Sequence, residues 1–151
     1  MLQRFERFSL AIAEINRCWH KLAAEEMALY GLNSPHALYL STLYQYDDGV
    51  TAAKLAELCW KDKADVSRMV SILEQKGLVQ KEATGANKYR ALIKLTEEGK
   101  NAAMHVRSRA AYAVELAGAG LSDADREAFY NALGLITANL RKLSKEGLPR
   151  K

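Results

Sequence analysis

The order of local patterns between Thr51 and Thr96 constrains the fold of this chain more than any other feature. This segment predicts a short helix, a turn, a second helix, two short strands and the start of a further helix. Residues 61–94 contain eight Lys or Arg and four Asp or Glu, and this surplus of four equals the net charge of the whole chain. A surface helix and a hairpin that together carry all the excess positive charge indicate a module that binds a polyanion, with duplex DNA as the first candidate.

The second helix of this segment has the clearest start and end signals. Asp62 and Asp65 have the spacing of an N-cap and the third helical residue, and their charge suits the positive end of the helix dipole. Gly77 is placed to end the helix in the left-handed conformation. The spacing i, i+3, i+4, i+7 predicts one apolar face, formed by Val66, Met69, Val70 and Leu73.

Further helices are predicted before this segment. Apolar residues at steps of three and four indicate a long amphipathic helix over about residues 2–29. Ser34 is predicted to cap a second helix with Pro35 at its first position, where a missing N–H does no harm. The buried side of that helix is expected to consist of Leu38, Leu40, Leu43 and Tyr44.

The remainder of the chain predicts a hairpin followed by two long helices. Residues 78–83 and 89–95 alternate as strands around a tip at Thr84-Gly85-Ala86-Asn87. Thr96 starts a fifth helix, and Ser122 caps a sixth that carries a heptad-like apolar stripe. The predicted fold class is therefore mainly α with a small β-hairpin wing, in the α+β class.

The predicted DNA contacts lie on the helix between Asp62 and Gly77, which is the fourth helix along the chain. They lie opposite its apolar face, on the side that would enter the major groove. At about 100° per residue, this outward face holds six residues, none of them acidic: Lys63, Ala64, Ser67, Arg68, Ser71 and Gln75. Arg68 can bind guanine or phosphate, and Ala64 can contact a thymine methyl group. Lys61 and Lys63 favour phosphate at the helix start. The alternative is the ordinary solvated face of a surface helix.

The predicted hairpin offers a second set of DNA contacts. Asn87, Lys88, Tyr89 and Arg90 lie at its tip and on its return strand, where basic side chains can enter a minor groove. Lys81 on the outgoing strand is expected to meet phosphate. The alternative is that Lys and Arg protect an exposed edge strand from aggregation.

With these motifs the chain resembles the MarR family of winged-helix transcriptional regulators over nearly its full length. The matching motifs are Gly31-Leu32-Asn33, Thr51-x-x-x-Leu55-Ala56, Val66-Ser67-Arg68-Met69-Val70, Leu73-Glu74-x-x-Gly77-Leu78-Val79 and Leu95-Thr96-x-x-Gly99. One departure concerns the wing, where the family usually carries an Asp-x-Arg pair. Here Asn87 stands in place of the acid and Tyr89 in place of the arginine, with Arg90 one step further on.

The resemblance implies a homodimer that binds double-stranded DNA, and we expect a repressor that acts in the cytoplasm. Residues 1–33 and 97–148 would form interlaced dimerisation helices around a DNA-binding module at 34–96. Two-fold symmetry then requires a pseudo-palindromic operator with half-sites about 10 bp apart. The sequence supports dimerisation independently, because long apolar stripes flank a module too small to cover them.

The resemblance also raises the question of a sensor, since similar proteins often bind small aromatic or phenolic anions between the dimer helices and the DNA module. Five residues are candidates for such a cleft: Trp19, His20, His36, Tyr39 and Trp60. The alternative is that these aromatic residues belong to the core. A thiol-based redox switch at Cys18 or Cys59 is a further alternative.

Other classes of protein fit the sequence less well. Two cysteines provide no disulfide framework, and no run approaches the roughly 18 apolar residues of a membrane span, so a soluble intracellular protein is expected. Recognisable catalytic motifs are missing, and single scattered histidines do not predict a metal site or a cofactor. The sequence therefore does not predict an enzyme. A winged-helix module for protein–protein contact remains an alternative.

Overall fold

The computed structural model describes residues 2–83 and 91–149. In this part of the chain the helices are α1 (Leu2–Ala28), α2 (Pro35–Leu43), α3 (Ala52–Cys59), α4 (Lys63–Gln75), α5 (Glu97–Ala117) and α6 (Asp123–Glu146). The strands are β1 (Val50–Thr51), β2 (Val79–Glu82) and β3 (Leu92–Leu95). The chain divides into two compact units, Met1–Ala111 and Tyr112–Lys151, which are described separately below. The predicted mainly α fold with a small β wing is confirmed.

The first unit contains a three-stranded antiparallel sheet in the order β1-β3-β2. Val50 of β1 pairs with Ile93 of β3, and Lys81 of β2 pairs with the same residue from the other side. The antiparallel pairing of β2 with β3 confirms the two predicted strands over Val79–Glu82 and Leu92–Leu95. The predicted tip at residues 84–87 lies outside the described residues. The sequence did not predict β1, because two residues are too few to show the alternation by which a strand is recognised.

The core of the first unit lies beneath this sheet and between the helices. Its fully buried side chains come from every helix of the unit: Met27, Tyr39, Leu40, Leu43, Leu55, Val66, Val70, Leu73, Ala102 and Ala103. Burying each large aliphatic side chain contributes on the order of 1.5–3 kcal/mol. Glu26 of α1 also accepts hydrogen bonds from Arg109 Nε at 2.7 Å and pairs with His105 Nε2 at 2.8 Å, which ties α1 to α5.

Two details of α2 differ from the prediction. The helix begins at Pro35 as expected, but Ser34 has helical dihedral angles and makes no side-chain capping bond. Its hydroxyl instead lies 2.8 Å from His20 Nδ1 of α1, a distant partner that no local pattern reveals. Leu40 and Leu43 are buried as predicted, but Leu38 is 45% exposed. His36 and Tyr39 are buried in addition, so the buried side of the helix is rotated toward these two residues.

Gly77 and Gly99 lie where the wing strands join α4 and α5. Gly77 ends α4 at a φ of +72°, as predicted. The Thr96 hydroxyl donates to the Gly77 carbonyl at 2.6 Å and accepts from the Gly99 N–H at 3.0 Å. A Cβ atom on Gly99 would overlap the carbonyl oxygen of Leu78, so only glycine allows α5 to start so close to the strand.

The second unit consists of the end of α5 and α6. Ser122 caps α6 as predicted, accepting the Asp125 N–H at 3.1 Å. Arg126 donates to Glu115 at 3.0 Å and to the Gly118 carbonyl at 3.2 Å, which closes the turn between the helices. The predicted apolar stripe of α6 is exposed at Phe129, Leu133, Ile136 and Leu140.

Among residues 2–83 and 91–149, no helix is both long and apolar enough to span a membrane.

Candidate nucleic-acid interface

The helix α4 is held at both ends and along one face. The Asp62 carboxylate accepts the Asp65 N–H at 2.7 Å, which confirms the predicted N-cap. Val66, Val70 and Leu73 are buried against the core. These contacts fix the rotation of the helix about its axis, so the residues that face outward are determined by the packing.

The outward face of α4 is exposed over its whole length. The exposed residues are those expected from the helical period: Lys63, Ala64, Ser67, Arg68, Ser71 and Gln75, with Lys61 just before the helix. The side chains on this face are small, polar or basic, as a helix that enters a major groove requires. The part of the prediction that concerns exposure is therefore confirmed, and DNA contact by these residues remains a prediction.

An acidic residue, Asp65, lies beside this face, and its role was missed in the sequence. Its Oδ2 accepts the hydroxyl of Tyr39 at 2.7 Å, and its Oδ1 lies 3.4 Å from Nη2 of Arg68. The Tyr39 hydrogen bond is the main cause that lowers the pKa of Asp65, with smaller contributions from Lys61 and Arg68. The i, i+3 spacing of Asp65 and Arg68 indicates an ion pair on the helix surface, and the sequence shows this spacing. The contact with Tyr39 joins residues 26 positions apart, so no local pattern indicates it.

The turn between α3 and α4 carries Trp60 and Lys61. Trp60 ends α3 in the left-handed region at a φ of +56°, which is uncommon for a large side chain. The Lys61 N–H donates to the Ala56 carbonyl at 3.0 Å, which closes the turn. The indole of Trp60 is 59% exposed and lies at the surface of the first unit.

The described part of the wing brings basic residues close to α4. Lys63, Ser67 and Lys81 line one groove between α4 and the sheet, together with apolar atoms of Ala52, Val66, Val70 and Ile93. Lys81 is also paired with Glu74 of α4 at 3.3 Å, and both side chains are almost half exposed. The other predicted wing contacts, Asn87, Lys88, Tyr89 and Arg90, lie outside the described residues.

The five residues suggested for an effector site occupy different environments. Tyr39 and His36 are fully buried in the core, as the alternative interpretation expects. His36 Nδ1 lies 3.1 Å from the backbone of Asn33, and burial is the main cause that lowers the pKa of the ring. Trp19 and His20 lie on the exposed surface of α1, and Trp60 lies at the α3–α4 turn. An effector site therefore remains a prediction. Of the five residues, only Trp19, His20 and Trp60 are exposed to a ligand from solvent.

The two cysteines differ in environment. Cys59 is buried at the end of α3, and its Sγ contacts the Thr42 hydroxyl at 3.6 Å. Burial raises the pKa of the Cys59 thiol, which disfavours the reactive thiolate. Cys18 is exposed on α1. The redox alternative is therefore weakened for Cys59.

In the described part of the chain, no three His, Cys, Asp or Glu side chains form a group that could hold a metal ion.

Comparison with known proteins gives consistent results. A model of the MarR family matches residues 30–88, which include α2, α3, α4 and β2. The HTH-type transcriptional regulator YybA of Bacillus subtilis (strain 168) is 26% identical over 131 residues, which cover 87% of each chain.

Solved structures show the same fold. A MarR transcriptional regulator from Methanosarcina mazei Go1 superposes with a TM-score of 0.82 at 23% identity, over 91% of this chain and 99% of that one. A MarR family regulator from Listeria monocytogenes, solved in complex with a 26mer DNA, superposes with a TM-score of 0.80 at 24% identity. That alignment covers 93% of this chain and 95% of the Listeria chain.

Proposed function

We propose that this chain is a MarR-family transcriptional regulator, and more specifically a homodimeric repressor that binds a pseudo-palindromic DNA operator, because a model of that family matches residues 30–88. The chain is thus a DNA-binding regulator and not an enzyme. The observation that carries the proposal is the outward face of α4, which is exposed and formed by small, polar and basic side chains. Such a face fits the floor of a major groove in shape and in charge.

Each exposed residue of α4 has a role that follows from its chemistry. Arg68 reads a base, because its guanidinium can donate two hydrogen bonds to guanine. Lys61 and Lys63 bind phosphate at the helix start, where backbone N–H groups add to their charge. Ala64, Ser67 and Ser71 allow close approach to the base edges and contribute small contacts. Within the wing, Lys81 binds phosphate beside Lys63, and the tip residues Asn87, Lys88, Tyr89 and Arg90 contact the minor groove.

Dimerisation is supported by the apolar residues that the single chain leaves exposed. On α1 these are Leu2, Phe5, Phe8, Ile12, Ile15, Trp19 and Leu22, which form the predicted stripe of that helix. On α6 they are Phe129, Leu133, Ile136 and Leu140. A monomer rarely exposes apolar surface of this extent, so we assign residues 1–33 and 97–148 to a dimer interface.

Two-fold symmetry determines the arrangement of the operator. Two copies of α4 meet successive major grooves on one side of the duplex, which places the half-sites about 10 bp apart. A repressor of this kind blocks transcription from the site that it occupies. Because its partner is DNA, the protein acts in the cytoplasm. A small aromatic or phenolic anion near Trp19, His20 or Trp60 would release the DNA if it bound one arrangement of the dimer more tightly than the other.

The salt dependence of DNA binding tests the proposal against a protein-interaction role. The affinity for duplex DNA, measured by fluorescence anisotropy, is expected to fall on the order of 10³-fold or more between 50 and 200 mM salt. Light scattering on the same sample should give the mass of two chains. A shallow salt dependence, or retention of no duplex at 50 mM salt, would contradict DNA binding by this module.

A further inference from the structure

A continuous line of hydrogen bonds connects the core of the first unit to the exposed face of α4. It starts at Tyr39 of α2, whose side chain is completely buried. The Tyr39 hydroxyl donates to Asp65 Oδ2 at 2.7 Å, and Asp65 Oδ1 accepts from Arg68 Nη2 at 3.4 Å. Arg68 is 65% exposed, so the line ends at the side chain to which the proposed function assigns base reading.

The inner part of this line is rigid. Tyr39 is confined because its side chain is completely buried in one core with residues of α1, α3 and α4. Asp65 is held twice, since its backbone N–H also donates to Asp62 Oδ1 at 2.7 Å. Burial raises the pKa of Tyr39 and the hydrogen bond lowers the pKa of Asp65, so the phenol stays the donor and the carboxylate stays charged near neutral pH.

The presence of a carboxylate at this position needs a physical reason. Asp65 lies beside a face that must approach phosphates, and its negative charge weakens attraction to any DNA sequence. A fixed carboxylate also restricts the long, flexible side chain of Arg68, so that less freedom is lost when Arg68 meets a base. The repulsion between Asp65 and phosphate weakens binding to every DNA sequence equally. The restriction of Arg68 strengthens binding only to sequences that carry the base which Arg68 contacts.

We propose that Tyr39 and Asp65 are positioning residues that orient Arg68 and thereby increase the base selectivity of the protein. This inference rests on the proposed function, because it assigns Tyr39 and Asp65 to the same DNA-reading face. Tyr39, which the sequence suggested as an effector contact, then acts on DNA recognition from inside the core through Asp65.

Removal of one hydroxyl group tests the inference. Tyr39→Phe keeps the ring in the core and deletes only the donor to Asp65. A full bidentate contact favours the correct base over a wrong one by about 5- to 150-fold in affinity. If Arg68 is no longer oriented by Asp65, part of this preference should be lost. We expect the ratio of operator affinity to affinity for a duplex changed at the Arg68 base to fall by about threefold to tenfold. Tyr44→Phe is the matched control, because Tyr44 lies at the end of the same helix and its ring stacks on Arg107 with or without a hydroxyl.

A double-mutant comparison separates positioning from a structural role. In an Arg68→Ala background, Tyr39→Phe should leave the remaining selectivity unchanged, because the residue through which it acts is gone. Asp65→Asn keeps an acceptor for Tyr39 but removes the charge, so it should lower selectivity and raise the affinity for unrelated duplexes. Thermal unfolding of each variant establishes that the compared proteins are folded.

Three outcomes would overturn the inference. Tyr39→Phe could leave the affinity ratio equal to that of the parent, or it could change the ratio equally with and without Arg68. Asp65→Asn could retain full selectivity. In these cases the parent still selects its operator and the proposed function stands. A parent protein that binds all duplexes equally would contradict the proposed function as well.

Discussion

Replacement of Arg68 by alanine is the substitution whose effect can be estimated most directly from the structure. The Arg68 side chain is largely exposed, and the only hydrogen bond found for it within the described residues joins it to Asp65 at 3.4 Å. Exposed ion pairs three residues apart on a helix contribute about 0.2–0.5 kcal/mol to stability. Arg68→Ala should therefore change the free energy of unfolding by no more than about 0.5 kcal/mol.

The expected effect on DNA binding is much larger. Loss of one base contact costs about 1–3 kcal/mol and relaxes specificity at that position. A dimer makes the contact once in each half-site, and distant sites contribute additively, so the operator affinity should fall by about 2–6 kcal/mol, or roughly 30-fold at least. The Asp65 carboxylate, no longer paired with Arg68, adds repulsion toward phosphate in the same direction.

Fluorescence anisotropy with labelled duplexes measures both parts of this prediction. The parent and Arg68→Ala are titrated against the operator and against duplexes with one base pair changed in each half-site. Lys100→Ala removes the same charge from α5, where Lys100 is paired with Glu97 at 3.6 Å, and should bind nearly as the parent does. If Arg68→Ala binds the operator as tightly and as selectively as the parent, the assignment of base reading to Arg68 is wrong.

Three further predictions concern the wing, the close approach of α5 to the wing strand, and the buried histidine. Lys81→Ala should weaken binding to all duplexes and reduce the slope of log affinity against log salt by about one, and an unchanged slope would remove Lys81 from the phosphate contacts. Gly99→Ala should destabilise the fold by about 1–3 kcal/mol or more in urea unfolding, because its methyl group overlaps the Leu78 carbonyl, and unchanged stability would refute that contact. Burial lowers the pKa of His36 from 6.5, against smaller opposing effects of Asn33 and the Asp65 charge. The unfolded chain therefore takes up a proton before the native protein does, so stability is complete above about pH 6.5 and decreases as the pH falls below it toward the lower native pKa. Urea unfolding between pH 8 and pH 5 measures this decrease, and His36→Leu should reduce its slope, whereas an equal slope in parent and variant would contradict the assignment.

Local signals in the sequence were sufficient for most of the helix boundaries. Asp62 and Ser122 start helices through hydrogen bonds to residues three positions away, and Gly77 ends α4 through its own backbone conformation. These interactions depend on neighbours in the chain, so spacing alone indicates them. The exposed face of α4 followed from the helical period for the same reason.

Contacts between distant parts of the chain were not predictable in this way. Ser34 would cap α2 in isolation, but in the folded protein its hydroxyl is hydrogen-bonded to His20 of α1. The rotation of α2 depends on how tightly α1, α3 and α4 pack around it, which explains the exposure of Leu38. The bond from Tyr39 to Asp65 has the same origin, because two residues on different helices meet only after the core has formed.

Selection of random duplexes on the purified protein tests the central claim most directly, because it reports on recognition and symmetry together. The duplexes that are enriched should share a sequence with two-fold symmetry and half-sites about 10 bp apart. Each of these duplexes should bind two copies of the chain. Enrichment of no common sequence, or of an unsymmetrical site that binds a single copy, would contradict a homodimer that reads DNA with two α4 helices.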